Sequence, residues 1–256
     1  MKKTIYATGA RLSYYDLDLA GNLKLSALLR MAHIAADINA ASLGAGYADL
    51  SRLGMTFVLQ RIGFRFFGMP EYGETARLRT WPSEIAKGTF LRRGDLTCKN
   101  GCKLIEWTSL WILFDLNERK ILKPGSLPAK IGEEGKLGVE VMPEKIALPG
   151  DLPSPYSSHA HTVRYADTDT NMHMNNSVYG DLIGNAVYHE GALPKAGLEF
   201  SEVQINYLAE ARFGETIMLS AVRHEREVYV LGELASRRGF CARLTVPDGT
   251  EIENPS

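Results

Sequence analysis

The chain has 256 residues, 45% of them hydrophobic and 23% charged, with a formal net charge of −1 from 29 basic and 30 acidic residues. This composition excludes a disordered or collagen-like chain, and the lack of a basic excess argues against bulk nucleic-acid binding. The three cysteines (Cys98, Cys102, Cys241) make no paired framework, Met1-Lys2-Lys3-Thr4-Ile5-Tyr6 leads into no apolar signal stretch, and no run of about 18 apolar residues offers a membrane span. A cytoplasmic protein with room for two ordinary domains is expected.

In chain order the pattern is strand, loop, long helix and several strands, and then the same again. Tyr15-Asp16-Leu17-Asp18 precedes a helix expected over Leu25–Ser42, whose apolar face is Leu25, Leu28, Leu29, Ala32, Ala35, Ala36 and Ile38. Gly44 is its stop. Strands are predicted at Thr56–Phe67, Thr75–Trp81, Thr89–Cys98 and Leu104–Asp115, with Asn100-Gly101 as a hairpin turn. Residues 120–155 hold six of the 11 prolines and read as a connection, which puts domains at 1–125 and 155–256 with a linker at 126–154.

Tyr165-Ala166-Asp167-Thr168-Asp169 then precedes a second helix, expected over Asn175–Glu190. Gly180 and Gly184 lie inside it and suggest a close backbone approach there, as a sheet wrapped around a helix would demand. Strands follow at Glu202–Leu208, Thr216–Arg223, Val228–Ala235 and Phe240–Val246, and Asp248-Gly249 is another turn signal. Asp18 and Asp169 lie 151 positions apart, and Gly73-Glu74-Thr75 and Gly214-Glu215-Thr216 lie 141 apart in the same order. Such a duplication decides architecture. The smaller second offset predicts a longer helix or connection in the first half, and the class is α+β.

The densest polar cluster is Arg164 to Asn176. One reading is a capped loop, with Asn175 or Asn176 capping the helix. The other is catalytic. Asp169, Asn171 and His173 alternate, and in an extended segment alternate side chains face one way. His159-Ala160-His161 could pair on a metal but has no further ligand cluster near it, and Cys98-x-x-x-Cys102 lacks the second pair of a zinc site. Gly44-Ala45-Gly46 follows a helix and is no dinucleotide fingerprint.

Asp169-Thr170-Asn171-Met172-His173-Met174-Asn175-Asn176-Ser177-Val178-Tyr179 resembles the D-x-N-x-H-x-N-N-x-x-Y signature of acyl-acyl-carrier-protein thioesterases. Thr56–Arg61, Thr80-Trp81-Pro82, Arg92-Arg93-Gly94-Asp95 and Ser109–Asp115 are also similar to that family. The resemblance implies two fused hotdog domains and an active site of Asp169, Asn171, His173 and Glu210, the last from Asn206-Tyr207-Leu208-Ala209-Glu210-Ala211. Ala211 stands where plant members carry Cys, which argues against a Cys–His nucleophile and for direct attack by water. Glu210 or Asp169 would be the base, with backbone N–H groups near Asn175 and Asn176 for the carbonyl oxygen.

In the first half, Ala20, Asn22 and Met69 stand at the places of Asn171, His173 and Glu210, so that half is expected to be non-catalytic. Met31, Ile34, Ala35 and Ile38 are candidates for an acyl tunnel or for ordinary helix core. An acidic carrier protein as partner implies a basic surface, for which Lys87, Arg92 and Arg93 are candidates, as are Arg77 and Arg79. No metal or cofactor is implied. A coenzyme A thioesterase, a hydroxyacyl dehydratase and a non-catalytic acyl-binding module are the rival readings, and a homodimer is compatible with all.

Overall fold

Apolar–polar alternation is clearest at the starts of the strands Thr75–Ala86 and Thr216–His224. In the computed structural model, which describes residues 4–155, 157–188 and 200–247, Ala76, Leu78 and Thr80 point inward while Thr75 and Arg77 face out. The strands are β1 (Tyr6–Arg11), β2 (Met55–Phe66), β3 (Thr75–Ala86), β4 (Thr89–Thr97), β5 (Lys103–Asp115), β6 (Lys120–Leu122), β7 (Ser157–Thr162), β8 (Glu202–Tyr207), β9 (Thr216–His224), β10 (Glu227–Leu234) and β11 (Arg237–Thr245). The helices are α1 (Leu25–Leu43), α2 (Tyr47–Ser51) and α3 (Val178–Val187). The predicted turn at Asp248-Gly249 and the expected end of the second helix at Glu190 lie outside the described residues.

The chain divides into two compact units, one of Met1–Leu12 with Met31–Pro143 and one of Ser13–Arg30 with Glu144–Ser256. In the first, antiparallel strands run in the order β1-β3-β4-β5-β2, with β6 on β5. In the second the order is β7-β9-β10-β11-β8, the same sequence of elements. A shared packing device repeats too. A Cβ on Gly94 of β4 would meet the Trp107 ring of β5 at 2.1 Å, and one on Gly232 of β10 would meet the Phe240 ring of β11 at 2.1 Å. In both sheets an aromatic side chain lies across the paired glycine.

Helix α1 lays Ala32, Ala35, Ala36 and Asn39 inward. His33 meets the Trp111 ring edge-on at 5.7 Å, and burial pushes its imidazole down to about 4, so it is neutral at pH 7. Among the described residues, helix α1 has 19 residues and α3 has 10. Helix α3 packs on β7, β9 and β10, with Tyr179 edge-on to Phe240 at 5.1 Å and to Tyr207 at 5.2 Å.

Gly180 does mark a close approach, but to a helix rather than to the sheet. A Cβ there would lie 2.5 Å from the Ser26 nitrogen and 2.7 Å from its Cα, at the start of α1. Beside it the Ser26 hydroxyl donates to the Asp181 carboxylate. Alanine normally favours a helix over glycine by about 1 kcal/mol. Gly180→Ala is expected to do the reverse and cost about 1–3 kcal/mol through overpacking. A thermal melt checks this, and an unchanged or raised midpoint would refute the contact.

The proline-rich connection is not a free tether. Its Glu134 and Gly135 N–H groups donate to the Pro82 and Ser83 carbonyls of β3 at 3.1 Å each, and buried side chains supply further partners. The Glu106 carboxylate accepts from the N–H groups of Glu140 (3.2 Å) and Val141 (3.0 Å), and Arg93 donates to the Val139 carbonyl at 2.8 Å. Val139 and Val141 pack with Trp81, whose indole N–H donates to the Gly135 carbonyl. Further on, Gln204 and Asn206 accept from the N–H groups of Glu144 and Ile146, each at 3.0 Å. Cys98 and Cys102 are joined by a disulfide across the Asn100-Gly101 turn, a bond that their spacing alone did not announce.

Candidate active site

The segment 164–176 folds as a tight loop, not as the extended stretch that alternation suggested. Its entry is a 3-10 turn over Tyr165–Asp167, where the Asp167 carboxylate accepts from the Arg164 N–H at 2.8 Å and meets the His161 ring at 2.9 Å. The Asp169 N–H then donates to the His173 carbonyl at 3.0 Å and the Met172 N–H to the Asp169 carbonyl at 3.0 Å. The Asp169 carboxylate accepts the Asn171 N–H at 2.8 Å, an Asx turn. This closure, rather than pleat, brings Asp169 Oδ1 to 4.0 Å from His173 Nδ1. The Asn171 side chain is exposed.

A second copy of this loop exists without the chemistry. Asp18 N–H donates to the Asn22 carbonyl (2.8 Å), Gly21 N–H to the Asp18 carbonyl (3.1 Å) and Ala20 N–H to the Asp18 carboxylate (2.9 Å). Gly21 takes a φ of +85°, and its counterpart Met172 takes +64°. A left-handed residue with a side chain is disfavoured by roughly 1 kcal/mol or more. The backbone is therefore the same in both copies, and only the one with Asn171 and His173 carries a ring and an amide.

The helix that follows begins later than expected, at Val178 with Ser177 at its cap position. Asn175 Oδ1 accepts from the N–H and hydroxyl of Ser177, at 2.9 and 2.8 Å. The Asn175 N–H is committed to the Asp167 carbonyl at 2.8 Å, so it is not free for a substrate oxygen, contrary to the expectation for it. The Asn176 carbonyl accepts from the Tyr207 hydroxyl at 3.4 Å.

Glu210 lies in the connection between β8 and β9, with its side chain 48% exposed and Oε2 at 3.5 Å from the Arg212 guanidinium. Backbone joins this segment to the loop. Met174 N–H donates to the Ala211 carbonyl at 2.7 Å, and His173 and Arg212 form a bridge. Glu210 thus sits two residues from the partner of His173. Arg237 donates to the Glu210 carbonyl at 2.9 Å and to the Glu215 carboxylate at 3.0 and 3.1 Å, and Glu215 accepts the Arg212 N–H at 2.8 Å. That backbone bond, chiefly, holds the Glu215 carboxyl below its ordinary range. Glu210, Arg212, Glu215 and Arg237 line a polar recess. Beneath it Tyr179 is buried, and burial pushes its phenol up to about 12 although the Ala211 N–H opposes the shift.

The other expected residues separate. On α1, Ala35 is buried and Met31 half-buried, whereas Ile34 and Ile38 are 55% and 44% exposed. Lys87 is exposed on the β3–β4 turn. Arg92 is half-buried, donates to Asn39 Oδ1 at 2.8 Å, and burial pushes its guanidinium down to about 10. Arg93, expected on a basic surface, is 1% exposed and bonded to Ser83, Glu84, Thr108 and Val139. It offers nothing to a docking partner, because alternation along β4 turns it inward to hold the connection. Arg237 and Glu215 were not singled out as site residues. Gly214-Glu215-Thr216 was visible as a repeat, but no spacing ties Arg237 to Glu210. Among the described residues no cluster of three His, Cys, Asp or Glu could hold a metal, and no helix is long and apolar enough to cross a membrane.

Two family models match this chain: the acyl-ACP thioesterase N-terminal domain over residues 3–124 and the C-terminal domain over residues 152–239, the latter containing both the loop and Glu210. The chain belongs to the acyl-ACP thioesterase family. A dodecanoyl-[acyl-carrier-protein] hydrolase of the chloroplast from Cinnamomum camphora is 30% identical over 151 residues, which is 55% of this thioesterase-family chain and 39% of the plant protein. The match therefore spans less than half the length of that relative. An acyl-ACP thioesterase from Bacteroides thetaiotaomicron has a similar structure, with a TM-score of 0.74 at 22% identity over 94% of this chain and 97% of that one. The 12:0-ACP thioesterase from Umbellularia californica has a TM-score of 0.75 at 16% identity over 96% and 98%. Both likenesses establish the fold.

Proposed function

We propose that this member of the acyl-ACP thioesterase family hydrolyses fatty acyl thioesters carried on acyl carrier protein, releasing free fatty acid and the carrier thiol. Its architecture on this reading is two tandem hotdog domains, 1–125 and 155–256, with a linker at 126–154, and only the second is catalytic. The carrying observation is the pairing of the Asp169–His173 loop with the Glu210–Arg212 segment, fixed by the Met174–Ala211 bond at 2.7 Å. The sister loop at 18–22 shares its backbone but has Ala20 and Asn22 at the chemical positions.

Glu210 takes a proton from water as the water oxygen attacks the thioester carbon. The tetrahedral oxyanion collapses, the C–S bond breaks, and the proton taken by Glu210 passes through His173 to the departing thiolate. Asp169, already bound to the Asn171 N–H and 4.0 Å from His173, orients the imidazole, which favours Glu210 over Asp169 as the base. Asn171, exposed beside the loop, orients the water or donates to the carbonyl. Asn176 borders the carbonyl site, and Lys87, exposed on its turn, meets the acidic carrier.

Mass spectrometry of acids released from a mixed acyl-carrier pool tests this reading. Free fatty acids should accumulate catalytically, faster than from the matching coenzyme A thioesters. Stoichiometric acyl retention without acid would refute it in favour of a binding module, and a preference for coenzyme A would remove the carrier.

A further inference from the structure

We infer that Arg237 is a positioning residue for the Glu210 carboxylate, an inference that rests on the hydrolase reading above. Glu210 belongs to no strand. Between the end of β8 at Tyr207 and the start of β9 at Thr216 the backbone is held by separate bonds on either side of Glu210: the Leu208 and Ala209 N–H groups donate to the Gly239 carbonyl at 2.9 and 3.0 Å, and the Ala211 carbonyl accepts the Met174 N–H at 2.7 Å. Arg237, the first residue of β11, reaches across to this connection. One guanidinium nitrogen donates to the Glu210 carbonyl at 2.9 Å and to both oxygens of Glu215 at 3.0 and 3.1 Å. Glu215 in turn accepts the Arg212 N–H at 2.8 Å, so one cation closes both ends of the turn that carries Glu210.

The first unit supplies a comparison without the chemistry. Glu74 is the counterpart of Glu215 in sequence and in backbone, since Glu74 N–H donates to the Glu71 carbonyl at 3.1 Å as Glu215 N–H does to the Arg212 carbonyl at 3.0 Å. Glu74 accepts the Lys99 backbone N–H at 3.3 Å. Where β11 opens with Arg237, β5 opens with Lys103, which bonds Glu106 at 2.8 Å instead. Met69 stands at the place of Glu210. The arginine clamp is therefore found in the half that has a carboxylate to place. Its side chain is 40% exposed and that of Glu215 33%, and such exposed pairs add little to stability. A guanidinium also keeps its charge and its planar set of donors, which suits three acceptors at once.

The test is steady-state hydrolysis of an acyl-carrier thioester by the full chain and its Arg237→Met, Arg237→Lys and Glu215→Gln variants. Misplacing a reacting group by about 1 Å can cost 10²-fold, so Arg237→Met should lower kcat about 10- to 100-fold with KM within about threefold. Arg237→Lys, which keeps the charge, should recover part of the loss. Glu215→Gln, which keeps an acceptor for the Arg212 N–H, should fall between wild type and Arg237→Met. A kcat for Arg237→Met within twofold of wild type, a loss confined to KM, or equal losses in the Met and Lys variants would overturn the inference. If Arg237→Met does not fold, a wild-type kcat in Glu215→Gln overturns it. No acid release by the wild-type chain would instead count against the hydrolase reading itself.

Discussion

Glu210→Gln and His173→Ala are each expected to lower kcat/KM for acyl-carrier hydrolysis about 10²–10⁴-fold, the usual contribution of a positioned acid–base group. Both side chains are partly exposed, with Glu210 at 48% and His173 at 26%, so neither change leaves a buried charge unpaired, and melting midpoints should hold. The two losses should not multiply in the double variant if the groups act on one water, because residues working as a unit are non-additive. Asp169→Asn provides the ordering test. It keeps an oxygen for the Asn171 N–H, hence the Asx turn, and removes only the charge 4.0 Å from His173. A loss smaller than that of Glu210→Gln fits an orienting carboxylate. A larger one would transfer the role of base to Asp169. Full activity in Glu210→Gln would remove that residue from the chemistry.

The largest stability effect is expected in the first unit, at the buried pair of side chains that hold the connection. Glu106 is 1% exposed, bonds Lys103 at 2.8 Å and accepts two backbone N–H groups; Arg93 is also 1% exposed and donates to the Val139 carbonyl. Glu106→Ala strands the N–H groups of Glu140 and Val141, and Arg93→Ala strands the Val139 carbonyl. Breaking such a buried charged arrangement costs about 3–5 kcal/mol. Urea denaturation should show that loss in each variant, and amide exchange at Val141 should lose protection in Glu106→Ala. The double variant should fall short of the sum, since both side chains hold one strap. Lys136→Ala is the control: its pair with Glu140 is more than half exposed on both sides, and the variant should leave the urea midpoint unchanged. Equal effects in Lys136→Ala and Glu106→Ala would mean that the connection is not held as described.

The family motif marks Asp169, His173 and Glu210 as candidates because its spacing is rigid and its residue types are few. Their placement was not legible in the same way. Alternation implied an extended strand, but a turn closed by the Asp169 carboxylate and a left-handed Met172 sets the approach of Asp169 to His173. Local pattern carries no signal for such a turn at a residue that is not glycine. Arg93 failed as a surface cation for a related reason: charge is visible in a sequence, but its burial depends on which backbone needs a partner across 46 positions.

The sequence by itself determined the α+β class, the duplicated order of elements, the positions of eight of the strands, with Thr75–Ala86 running five residues beyond its expected end, and the half that bears the polar cluster. Periodicity and turn chemistry act over a few neighbours, and the chain displays them directly. Only the tertiary structure decided that Gly180 clears the backbone at Ser26, that the proline-rich connection is strapped down by Glu106 and Arg93, and that Arg237 grips the turn of Glu210. Each of these joins residues dozens to more than a hundred positions apart. Such contacts arise from how the elements pack, and no pattern along the chain specifies them.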